Sequence, residues 1–142
     1  VSELIIASGP ANDNQAVRSK LADWYAKSAG LKNTGARAIS ALSKGEVPGP
    51  ENSIGKLVAG GMMQDIAKFA VDLQGLGGLV TDPAIARSQA QIQAMLMRSP
   101  AVRIEGGTDQ ILRNIIAERV LGLPEDMRAD KGIAFSQIPT GG

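Results

Sequence analysis

With 142 residues the chain has room for about one domain and a single modest core. It contains no Cys and no His, which removes disulfides, thiolate nucleophiles, histidine bases and the usual zinc ligand sets; no metal site is expected, and any chemistry must use carboxylates, hydroxyls, amines or a cofactor. Fifteen basic against fourteen acidic residues leave a net charge of +1, and Trp24, Tyr25, Phe69 and Phe135 are the only aromatic residues, so neither a basic surplus nor a stacking surface supports nucleic-acid binding.

The chain opens on Val1, and SELIIASGPANDN has neither the basic start nor the long apolar centre of a signal peptide. Residues 1–13 read as an irregular remnant of a preceding segment. Lys56, Asp65, Lys68 and Asp72 interrupt the most apolar region, so no membrane span is expected and the location is taken as cytoplasmic.

The first helix is expected over 15–44. Asn12, Asp13 and Asn14 offer N-cap side chains, and Val17, Leu21, Trp24, Ser28, Leu31, Gly35, Ala38 and Leu42 recur at helical spacing. Gly30 and Gly35 weaken this helix without breaking it, and the small residues would let a neighbouring helix cross closely. GEVPGP at Gly45–Pro50 must turn, because two prolines remove donors and fix φ.

A second helix, 53–74, is expected to be capped by Asn52 or Ser53. Ile54, Val58, Met62, Ile66, Phe69 and Leu73 form its stripe, and Leu57, Met63, Ala67, Ala70 and Val71 widen the stripe beyond one face, as in a mostly buried helix. Gly60-Gly61 in its middle is the sort of pair that close packing justifies. After a turn at Gly75–Asp82, Thr81-Asp82-Pro83 reads as a cap followed by a first-turn proline, predicting a third helix over 83–98 with Ile85, Ile92, Met95 and Leu96 on one side. Ser99-Pro100 should end it, and Ala101–Glu105 should connect it to the last helix.

That last helix, 108–121, lies within EGGTDQILRNIIAERVLGLP. Thr108 can cap it, Asp109 suits the positive end of its dipole, Ile111, Leu112, Ile115, Ile116, Val120 and Leu121 are its apolar positions, and Gly122 with Pro124 stops it. Gly106 and Gly107 ahead of its free N–H groups permit close backbone approach. Residues 14–124 thus read as one all-α, antiparallel four-helix bundle, and 125–142 as an extended tail.

GGTDQILRNIIAERVLGLP resembles the last helix of the acyl-CoA dehydrogenase family, flavoenzymes that introduce an α,β double bond into acyl-CoA thioesters. Gln74-Gly75-Leu76-Gly77-Gly78 is similar to the family's Gln-x-x-Gly-Gly element, and the two stretches stand in the family's order at about its spacing. The resemblance covers roughly Gln15 to Pro124 and implies a C-terminal helical domain without the family's N-terminal helical and β domains. It implies that Gln74, Gly77 and Gly78 approach the adenosine-diphosphate part of FAD held mainly by another subunit, and that Thr108 and Gln110 also contact the cofactor. Taken without the resemblance, Gln74 and its glycines are simply a polar helix end and a terminator.

The resemblance fails at the catalytic base. Where many members carry a glutamate before the Gly-Thr pair, this chain has Gly106; Glu105 is one residue early and is expected to be solvated or paired with Arg103. Other members place the base on an earlier helix, which would precede Val1. The arginine many members carry ahead of this region is also missing from LIIASGPANDN. The implied partners are an acyl-CoA substrate, an electron-transfer flavoprotein and further subunits in a homo- or hetero-oligomer, with the isolated chain inactive. The alternative is a non-catalytic partner subunit or helical interaction module that kept the fold and lost the base.

Overall fold

The computed structural model describes residues 13–47, 49–125, 130 and 132–138. The described residues are helical with no strand: α1 Gln15–Ser43, α2 Asn52–Asp72, α3 Gln91–Val102, and α4 Asp109–Ile115, which continues as a π-helical turn, Ile116–Val120. None of these helices is long and apolar enough to cross a membrane.

The wide apolar perimeter of α2 has a direct cause: α1, α3 and α4 all pack against it. α1 and α2 leave a shared turn and meet far along both, where Trp24 sits edge-on to Phe69 with ring centroids 5.3 Å apart. They are therefore antiparallel. The pairing of α2 with α3 is antiparallel too, since Gln93 meets Gln74 at one end while Arg103 meets Gln64 at the other.

The core is thin and made largely of small residues. Val17, Trp24, Ala67, Ala70, Ala90, Ile92 and Leu112 are its buried apolar members. Large apolar side chains stand in the open nearby, Tyr25 at 79% and Met97 at 75% exposure among them.

Helix α1 starts as its capping residues suggest: the Asn14 side chain accepts the N–H of Ala16. It runs unbroken through Gly30 and Gly35, but no other helix among the described residues crosses there, since a Cβ at either glycine would meet nothing within 4 Å. The cap of α2 differs from expectation. Neither Asn52 nor Ser53 caps it; Glu51 holds the N-cap position without a side-chain bond to the helix and instead accepts the N–H of Gly49. The close packing expected of the Gly60-Gly61 pair applies to Gly60, which is buried against Val102 and Arg103, and not to Gly61.

The third helix is the largest departure. Thr81-Asp82-Pro83 does start a turn, with Asp82 Oδ1 accepting from Ala84 and its carbonyl from Ala86, but the turn stops after one cycle. Residues 84–89 offer only Ile85 as a large apolar side chain, and it is 76% exposed, so nothing rewards propagation of the helix. Three consecutive left-handed residues, Ser88, Gln89 and Ala90, then redirect the chain, and α3 begins at Gln91.

Ser99-Pro100 does not end α3 either. Proline lacks the N–H that would reach the Leu96 carbonyl, but the Ser99 hydroxyl donates to that carbonyl at 2.8 Å and closes the gap, so the helix continues to Val102. At the end of α4, Gly122 adopts φ +66° and the N–H of Leu123 reaches back to the Ala117 carbonyl, terminating the element where expected. Residues 1–12, most of the segment read as an irregular remnant, lie outside the described residues. Of the stretch read as an extended tail, Phe135–Gln137 forms a short 3-10 turn, while 126–129, 131 and 139–142 are also outside them.

Candidate functional site

The residues singled out from the sequence fall into two groups about 15 Å apart along α2, at its C-terminal end near Gln74 and beside Gln64 ten residues earlier. The structure does not bring them into one cluster within this chain.

At the first group α2 ends and a 3-10 turn, Gly75–Leu79, follows. Gln74 donates to the Ala70 carbonyl and accepts from the side chain of Gln93, which also donates to the carbonyl of Gly78. Both polar atoms of Gln74 are thus engaged within the fold. Gly78 is buried, and a Cβ there would lie 2.5 Å from the Val71 carbonyl oxygen, so this glycine answers to internal packing. Gly77 is the opposite case: it is exposed, and a Cβ would meet nothing within 4 Å.

Gln93 was not a candidate from sequence. It is 4% exposed, and its Oε1 is sealed without a partner among the described residues. Its partners Gln74 and Gly78 lie 19 and 15 residues away in the chain, so no local signal marks it.

The second group surrounds the glycine loop before α4. Gly106 and Gly107 have φ of +61° and +103°, conformations that suit glycine and turn the chain into the helix. Thr108 caps it as expected, its hydroxyl accepting from Ile111 N–H. Thr108, Asp109 and Gln110 border a surface depression of about 250 Å³ together with Gln64, Pro100, Arg103 and Ile104. The amide of Gln110 is exposed and, among the described residues, unpartnered.

Asp109 does more than meet the helix dipole. It is 4% exposed and takes Arg103 through Nε at 2.7 Å and through the terminal nitrogen at 2.6 Å, while Arg103 also donates to Gln64 at 2.7 Å. Lys56 of α2 donates to the Gly107 carbonyl. These four contacts were not legible as a set, because Lys56 and Gln64 meet their partners 51 and 39 residues away in the chain, and only Asp109 lies in the stretch that carries the resemblance.

Glu105 is corrected on one point: its partner is Arg98, not Arg103. Both carboxylate oxygens receive the Arg98 guanidinium, at 2.7 and 2.6 Å, on a surface where the two side chains are about half exposed. Arg103 is held by Asp109 and points away from this role. Gly106 is exposed and carries no functional group. No group of metal-ligating side chains occurs among the described residues.

The family model for "Acyl-CoA dehydrogenase, C-terminal domain" matches residues 6–121. Among curated proteins the chain is similar to acyl-CoA dehydrogenase IpdE1 of Mycolicibacterium smegmatis, 32% identical over 126 residues that make 89% of this chain and 30% of the relative. It is also similar to acyl-CoA dehydrogenase FadE34 of Mycobacterium tuberculosis, 34% identical over 62% of this chain and 11% of the relative. The IpdE1 of the latter organism is 30% identical over 67% of this chain and 26% of its own length. The chain therefore spans 30% or less of each of these relatives. No solved structure matches it.

Proposed function

The chain belongs to the acyl-CoA dehydrogenase family as its C-terminal helical domain, and from that membership we propose that in the complete protein it forms one wall of an FAD site in an enzyme that dehydrogenates an acyl-CoA thioester. The observation that carries this reading is the unspent polar edge at the start of α4. Gln110 has a free amide, and the Thr108 hydroxyl accepts one bond while its own hydrogen is donated to no described residue. A side-chain amide and a hydroxyl side by side suit a ligand rich in both donors and acceptors, as a ribityl-diphosphate chain is.

The residues present fit that group unequally. Thr108 and Gln110 have capacity to spare; Gly77 is open to close approach for want of a side chain, but its N–H is donated to the Gln74 carbonyl and its own carbonyl accepts from Val80, while Gln74 is largely engaged by Ala70 and Gln93, and Gly78 is a glycine for internal reasons. We therefore place Thr108 and Gln110 first among the candidate cofactor contacts, Gly77 next, and Gln74 and Gly78 as supports of that turn. Bound FAD would supply the hydride acceptor; this chain's own part is binding and orientation.

The catalytic base is proposed to come from outside this chain. Gly106 has no side chain to remove a proton, and Glu105 is fixed in a two-oxygen pair with Arg98. An electron-transfer flavoprotein as electron acceptor, and further subunits in an oligomer, belong to the same proposal. The same two observations favour a second reading, a non-catalytic partner subunit.

The test is to purify the complete protein, measure its flavin content and assay acyl-CoA oxidation alone. Flavin-loaded protein that turns over, and that loses FAD affinity in Thr108→Val and Gln110→Ala, supports the first reading. Turnover only after a second polypeptide is added supports the partner-subunit reading. Flavin content and affinity unchanged in both variants would remove these residues from the site.

A further inference from the structure

We propose that Arg103 is a positioning residue that holds the Thr108–Gln110 edge in the geometry that binding of FAD requires; the inference rests on the FAD-site reading. Arg103 is the last residue before the glycine loop, at the C-cap of α3, and its main chain and side chain both clamp the start of α4. Its carbonyl accepts the N–H of Asp109, and its guanidinium grips the Asp109 carboxylate. A terminal nitrogen then reaches Gln64 on α2. Asp109 lies between Thr108 and Gln110 in the chain, so whatever fixes Asp109 fixes both neighbours.

Three facts make this a device rather than an incidental ion pair. The Asp109 carboxylate is 5% exposed and the Arg103 side chain 40%, so the pair is screened less than one between two surface side chains. The planar guanidinium engages two partners on two elements at once, which a lysine ammonium on a flexible stem reproduces poorly. The loop between clamp and helix contains Gly106 and Gly107, both at positive φ, which would be free to reorient without an external hold. Lys56 adds a second hold by donating to the Gly107 carbonyl, so α2 fixes the loop from both sides. The Arg103 Nε and both terminal nitrogens are engaged by Asp109 and Gln64, and it is through these two residues that Arg103 acts on the edge.

The experiment titrates the complete protein with FAD, following flavin fluorescence, for wild type, Arg103→Lys and Gln64→Ala, with the melting temperature of each apoprotein measured in parallel. Arg103→Lys keeps a cation beside the buried carboxylate but loses the fork; Gln64→Ala removes the anchor on α2 and leaves the ion pair. Expected is a weakening of FAD binding by about tenfold or more in each, with apoprotein melting within a few degrees of wild type. If Arg103→Lys does not fold, Gln64→Ala decides alone. Wild-type affinity in the folded variants, or a loss that only tracks lowered melting temperature, overturns the positioning role while leaving the FAD-site reading intact. A wild-type protein that takes up no FAD overturns that reading, and this inference with it.

Discussion

The indole of Trp24 donates its N–H to the carboxylate of Asp65 across 2.8 Å, joining α1 to α2 at the centre of their contact. Lys20 adds a bond at 3.1 Å on the same oxygen. The Trp24 N–H foremost, with Lys20 behind it, holds the Asp65 carboxyl below the usual carboxylate range against the opposing effect of burial. A depressed folded pKa contributes stability that is present above the unfolded value of about 4 and is lost as pH falls through the folded one. Trp24→Phe keeps an aromatic ring against Phe69 and removes the donor together with part of the buried indole. Loss of the donor should destabilise the domain by about 1–2 kcal/mol at pH 7, on top of a pH-independent packing loss, so the gap to wild type should narrow as pH is lowered through and below 4. Urea unfolding at pH 7, 5 and 3 checks this; a gap independent of pH would show that the charge on Asp65 is not what the indole stabilises.

Ser99 and Pro100 should be coupled. Ser99→Ala leaves the Leu96 carbonyl without its donor in a site where Ser99 is fully buried, at an expected cost of about 1–3 kcal/mol. Pro100→Ala restores a backbone N–H able to reach that same carbonyl, so in its presence Ser99→Ala should cost much less. A double-mutant cycle on chemical denaturation measures the coupling, and additive effects would contradict the substitution of hydroxyl for N–H.

Glycines that look alike in the sequence should respond in opposite directions. Gly78→Ala drives a Cβ to 2.5 Å from the Val71 carbonyl and 2.9 Å from its side chain, so a loss of about 1–3 kcal/mol is expected. Gly61→Ala, within α2 and with nothing in reach, should gain about 0.5–1 kcal/mol from propensity. Thermal unfolding of the two variants distinguishes them.

Glu105→Gln in the complete protein should leave turnover close to wild type, because Glu105 is a surface partner of Arg98. Abolished turnover with normal flavin content would make Glu105 the base.

The chain alone should self-associate. Leu21, Tyr25, Met62 and Ile66 line an open apolar groove of about 560 Å³ between α1 and α2, and Tyr25 is 79% exposed. Sedimentation velocity at micromolar concentration reads this directly, and a single monomeric species would contradict it.

Helix content, the turns on either side of α2 and the breadth of its apolar perimeter were legible because each rests on local signals: an Asn14 cap, prolines and glycines at the turns, a stripe too wide for one neighbour. The third helix was misplaced for a local reason as well. Asp82-Pro83 is a genuine turn initiator, but initiation and propagation are separate, and only the second depends on what the helix buries. Ser99-Pro100 misled in the opposite sense, since a proline stops a helix only when no hydroxyl replaces its donor. Within the candidate site, the Thr108 cap and the turn after Gln74 were legible from local signals. Its supports, Arg103, Gln64 and Lys56, were not, because they converge only once α2, α3 and α4 are packed together.

The π-helical turn at Ile116–Val120 also bears on how this helix tolerates length changes. Leu121 reaches back five residues to Ile116 rather than four, so the turn accommodates one residue more than an α-helical path would. Deleting a single residue there would return the segment to α-helical winding, and everything N-terminal to Ile116, the Thr108–Gln110 edge included, would keep its register. A deletion between Asp109 and Ile115 has no such slack. It would rotate the downstream positions by about 100° and turn Leu112 or Ile115 away from the faces they now occupy, so length variation in this helix should be absorbed after Ile115 and resisted before it.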